Sequence, residues 1–132
     1  MKKLILILSF FITTSYSQNI AYDFTFIEAE DVGAYDRNLK SKFQKVNQAY
    51  IDAGLILGWH VWKVVNGPQF PYTHLAVAVY DIDNANEEPE APKWTDLFPD
   101  LTEEELEDWG EKNAKNRKIV FTTQMKNVAA VS

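Results

Sequence analysis

The segments Leu57–Val65, LGWHVWKVV, and Thr73–Ile82, THLAVAVYDI, decide the fold. Both are rich in β-branched and aromatic residues and read as strands. The connection 66–72, NGPQFPY, carries Asn-Gly and two prolines, which exclude helix and ladder and leave a hairpin. Each strand is apolar on both faces. Trp59, Val61 and Val65 alternate with His60, Trp62 and Val64, and Leu75, Val77 and Val79 with Ala76, Ala78 and Tyr80. A sheet with one wet face places polar residues at every second position, so this hairpin requires a cover on each side.

Working outward, Ala21–Glu28 (AYDFTFIE) alternates Tyr22, Phe24 and Phe26 with Asp23 and Thr25, which predicts a half-buried strand. Asp31-Val32-Gly33 turns the chain. From Ala34 to Ala53, Tyr35, Leu39, Phe43, Val46 and Tyr50 form one stripe of an amphipathic helix, with Gly54 placed to end it. On the far side, residues 81–100 form an acidic loop that includes an apolar clip, Trp94 with Leu97 and Phe98. Thr102-x-x-Glu105 is a capping box, and the helix it opens is expected to run to about Val128. The predicted order is β-α-β-β-α, an α+β half-barrel whose antiparallel sheet is covered by two helices on one face. The other face is expected to meet a second copy.

Residues 1–17 read as a signal peptide. Lys2-Lys3 precedes an apolar stretch from Leu4 to Ile12, and Ser15 and Ser17 form a small-x-small exit that leaves Gln18 first. Nine residues are too few to span a bilayer as helix, which takes about 20. The expectation is therefore export to the periplasm or medium, with residues 18–132 as a single domain. Cleavage would take the formal charge from −6 to −8. That charge argues against nucleic acid and against a grip on anionic lipid. The 132 residues contain no Cys, which excludes disulfides, thiol catalysis and cysteine-bound metal.

This pattern resembles the dimeric α/β-barrel families of ferredoxin-like topology, closest to antibiotic-biosynthesis-monooxygenase-like and NIPSNAP-like proteins. The likeness covers residues 20–128 and rests on the element order, the segment 53–59 (AGLILGW) and the segment from Trp94 to Glu105. It implies two sheets packed face to face across a dyad, hence a homodimer. The family carries one more strand after its second helix, for which residues 128–132 are too short. The copy is then truncated, or its sheet has three strands and leans on its partner.

The chemistry is narrowed mainly by what is missing. The chain has no phosphate-binding glycine loop, no H-E-x-x-H and no G-x-S-x-G. A simple hairpin register sets residue 65 opposite 73, which puts His60 and His74 about 13 Å apart along the ladder, too far to share a metal. No metal or cofactor is expected. The same register places His60, Trp62, His74 and Tyr80 on one sheet face, beside the small Ala76 and Ala78. That collection reads either as a pocket for a small apolar or aromatic ligand or as the packing of a dimer seam. Two functions follow: an exported binding or interaction protein, or a cofactor-independent monooxygenase or isomerase acting on a small aromatic or polyketide-like molecule.

Overall fold

A computed structural model of the chain describes residues 19–67, 71–84 and 90–132. The expected leader and its cleavage site lie outside those residues. No helix among the described residues is long and apolar enough to cross a membrane.

Four strands, β1 (Ile20–Ala29), β2 (Gly58–Lys63), β3 (His74–Asp81) and β4 (Arg117–Met125), form one sheet in the order β2-β3-β1-β4. All three pairings are antiparallel. Between β1 and β2 the chain is helical from α1 (Val32–Asn38) through a π-helical segment (Leu39–Phe43) to α2 (Gln44–Asp52). The short α3 (Trp94–Leu97) and the longer α4 (Glu103–Asn116) follow β3. This is the expected α+β, ferredoxin-like arrangement, with helices over one face of the sheet.

The helical layer forms where the stripe predicted it. Asp31 caps α1 by accepting the Ala34 amide at 3.0 Å, and Gly54, at φ +77°, takes the left-handed conformation beyond α2. Tyr35 and Val46 are fully buried. Tyr35 and Leu39 pack on the sheet with Ile27 and Ala29, while Phe43, at the end of the π segment, meets Trp94 and Trp109. The Phe43 carbonyl accepts the Asn47 side-chain amide at 2.8 Å.

Trp94 clips over the helices as expected, its ring 6.1 Å from Phe43 and 5.8 Å from Trp109. The Glu105 amide donates to Thr102 Oγ1 at 3.1 Å, and the Thr102 hydroxyl reaches Glu105 Oε1. The glutamate is thus held by the hydroxyl, where the capping box leads one to expect the threonine amide.

Two expectations fail. The last helix ends at Asn116, not near Val128, and residues 117–125 form the fourth strand, so the sheet is neither three-stranded nor short of its last member. Asn116 fixes the boundary: its side chain takes the Asp31 amide at 2.7 Å and donates to the Asp31 carbonyl at 3.0 Å, tying α4 to the end of β1. Ile119, Val120, Phe121, Thr122 and Thr123 then favour extended backbone. Helix passes straight into strand without a Gly or Pro between them, so the usual punctuation is missing.

The hairpin register also differs. Gly58 pairs with Val79 and Lys63 with His74, a shift of one residue from the simple register. A slip of one residue turns every side chain to the other face. His60 and Trp62 therefore share a face with Leu75, Val77 and Val79, while His74 and Tyr80 lie on the opposite face with Trp59, Val61 and Lys63. The expected grouping of His60, Trp62, His74 and Tyr80 on one face is incorrect. The helices cover the face of His74, where Tyr35 packs edge-on against the imidazole at 4.8 Å.

Candidate functional site

The strongest polar arrangement among the described residues surrounds His74, whose side chain is 1% exposed. β3 starts at His74 on the helix face, and the first turns of α1 bring Asp36 over it. His74 Nε2 lies 2.7 Å from Asp36 Oδ1, and Nδ1 lies 2.8 Å from Thr73 Oγ1. Asp36 accepts on one side and Lys63 donates to its Oδ2 at 2.7 Å on the other. Thr73 Oγ1 is itself anchored, accepting the Ala29 amide at 2.9 Å. The proton facing Asp36 therefore sits on Nε2, and both ring nitrogens are engaged.

The hydrogen bond from Lys63 is the main reason the Asp36 carboxyl sits below the usual carboxylate range. Desolvation pulls the other way, and the His74 hydrogen bond adds to the lowering. Asp36 is an anion at neutral pH. A quarter of its side chain remains exposed, as does 44% of that of Lys63. The buried imidazole is thus a fixed support, and the carboxylate and ammonium are the groups a solute can reach.

They open onto a cleft of about 500 Å³ between the α1–α2 layer and the outer strand β2. Its apolar wall is Leu39, Ile51, Trp59 and Val61, and Lys40, Gln44 and Gln48 add polar groups. The volume is in the range of small-molecule sites, as is the mixture of an apolar wall with a few converging polar tips.

The four residues picked from sequence are dispersed by the fold. His74 is at the cleft. His60 borders it from the strand edge, but its ring stacks on Trp62 at 5.6 Å, on the face away from the helices. Tyr80 shares the face of His74 but lies six residues along β3, on the order of 20 Å away. There burial first, and then the nearby charge of Asp23, raise its phenol above the ordinary value. Sequence reasoning missed Asp36, Lys63 and Trp59. One signal was available for Asp36: it is the sole acid between Val32 and Ile51, in a helix carrying Arg37, Lys40, Lys42 and Lys45.

The open face is apolar and aromatic. Phe26 stacks on Phe121 at 4.2 Å and meets Tyr72 edge-on at 4.9 Å. Trp62, Phe121 and Met125 are each about half exposed.

No protein-family profile and no curated protein matches this chain. Among solved structures, it is similar to an ethyl tert-butyl ether D (EthD) family protein from Bacillus halodurans, with a TM-score of 0.51 and 10% identity, covering 83% of this chain and 98% of that one. HapK from Hahella chejuensis superposes with a TM-score of 0.48 at 10% identity, covering 85% of this chain and 96% of that one. At this identity the EthD-family likeness establishes the ferredoxin-like fold and nothing finer.

Proposed function

We propose that this chain is an exported small-molecule-binding protein of the dimeric α/β-barrel kind, allied to antibiotic-biosynthesis-monooxygenase-like and NIPSNAP-like proteins. It holds its ligand in the cleft between the helical layer and β2. The observation that carries the reading is Asp36, pinned between a buried imidazole and an ammonium and still open to a cleft of about 500 Å³. Fixing a polar pair in this way costs ordering entropy during folding and leaves less to lose on binding. The aromatic face opposite the helices supports pairing with a second copy, since leaving large apolar side chains wet costs about 1.5–3 kcal/mol each.

The test is equilibrium dialysis of the purified protein against 2-naphthoic acid. Saturable binding that is lost in Trp59→Ala and weakened in Lys63→Met is expected. Failure of the acid to bind, in protein shown to be folded by circular dichroism, would contradict the reading.

One observation favours a second reading, that of a cofactor-independent monooxygenase or isomerase. A carboxylate held in place by a histidine and open to the cleft is positioned to accept a proton from a bound molecule. Lys63, which lowers its basicity, stands beside it to stabilise the anion formed. Exchange of the α-hydrogens of 1-tetralone in D2O, catalysed by the protein and abolished in Asp36→Asn, would support the proton transfer on which both activities depend, and oxygen uptake would separate the monooxygenase from the isomerase. An exchange rate equal to that of buffer would remove it.

A further inference from the structure

A second cavity lies behind the cleft. It has a volume of about 240 Å³, sits between the helical layer and the sheet, opens to solvent, and is walled mainly by Ile27, Tyr35, Phe43, Val46 and Ala76, with Thr25 and Arg117 as polar members of the lining. Leu39, Asn47 and Trp59 border both spaces, so the two adjoin along that line. The chamber also coincides with the irregular part of the helix. Leu39 and Phe43 are the ends of the π segment, and Asn47 is the residue whose side chain takes the Phe43 carbonyl. Wide turns of this kind occur frequently at functional sites. The space is open to water and mainly apolar in its walls, so an apolar group that displaces that water gains by removing the wall from solvent. Cavities of roughly 150 Å³ with aliphatic and aromatic walls take up a benzene ring.

The polar end has a sign. Lys40 and Lys63 face the cleft against the single carboxylate of Asp36, which already accepts from Lys63 and His74. Lys63 keeps two further N–H donors.

From these features we infer that the ligand is amphipathic: an organic acid whose carboxylate meets Lys40 and Lys63 and whose alkyl chain or ring passes Trp59 into the chamber. The inference rests on the cleft being the binding site and adds the class of molecule it selects. Trp59 is the threshold between head and tail. Ala76, on the chamber's sheet wall, limits the length of tail that fits.

The experiment is calorimetric titration of the full protein with straight-chain carboxylates from butanoate to dodecanoate. Affinity should rise two- to fourfold for each added methylene until the chamber is full, then level off. Ala76→Leu should flatten that series while leaving butanoate unchanged, and Ala76→Val, a smaller intrusion, should flatten it in part. Lys40→Met combined with Lys63→Met should weaken every member by a similar factor. If carboxylates bind but show no chain-length dependence, or if the Ala76 variants keep the wild-type series, the amphipathic inference fails and the cleft reading stands. If neither these acids nor 2-naphthoic acid bind, both fail together.

Discussion

Replacing Asp36 separates the support role of His74 from the surface ion pair. In Asp36→Ala the His74 Nε2 proton loses its acceptor in a site where the ring is 1% exposed. An unsatisfied buried donor costs about 1–3 kcal/mol. The lost pair with Lys63 adds little, because Lys63 is 44% exposed and exposed pairs contribute about 0–1 kcal/mol. The total expected is about 1–4 kcal/mol. Asp36→Asn keeps an amide oxygen for the imidazole and loses only the charge, so its cost is about 1 kcal/mol or less. Lys63→Met should fall in the same small range. The pH dependence has a definite direction. The folded carboxyl of Asp36 lies below its unfolded value of about 3.9, so its stabilisation is complete above that pH and fades as pH falls through the folded value. Urea unfolding followed by tryptophan fluorescence, at pH 7 and in steps down to pH 3, measures all of this. The difference between wild type and Asp36→Asn should close toward the acid end. An Asp36→Ala cost below about 0.5 kcal/mol, or an Asn variant as damaged as the Ala variant, would refute the support role.

Other outcomes follow from separate parts of the chain. Protein recovered from a periplasm or culture medium should show Gln18 as its first residue by intact mass, and retention of Met1 on a soluble cytoplasmic species would overturn the export reading. Sedimentation should find a dimer at micromolar concentration, converted to folded monomer by Phe121→Lys, since that ring is half exposed on the open face; a monodisperse wild-type monomer would contradict pairing through the sheet. Thr102→Ala removes the acceptor of the Glu105 amide and should cost about 1 kcal/mol in the same urea assay, with helical signal lost from α4.

Much of the architecture is legible in the chain because it depends on local periodicity. The alternation of Tyr22, Phe24 and Phe26 marks β1, and the stripe from Tyr35 to Tyr50 marks the helical layer with its Gly54 stop. The doubly apolar hairpin requires a cover on both sides wherever its register falls. β4 was hidden because no turn residue separates it from α4, and because the boundary is set by Asn116 bonding to Asp31, 85 positions away. The site was hidden for a related reason. Parity along a strand states which residues share a face within that strand, but only the turn and the packing choose which residue of the next strand stands opposite. One step of register put His60 and His74 on opposite sides of the sheet. The pairing of His74 with Asp36 spans 38 residues and two kinds of element. Local pattern determined most of the elements. Tertiary packing decided which side of each strand the helices cover, so that β1 buries Ala21, Ile27 and Ala29 and leaves Tyr22, Phe24 and Phe26 on the open face. It also decided which polar groups meet, because both outcomes depend on distances between elements that no local pattern encodes.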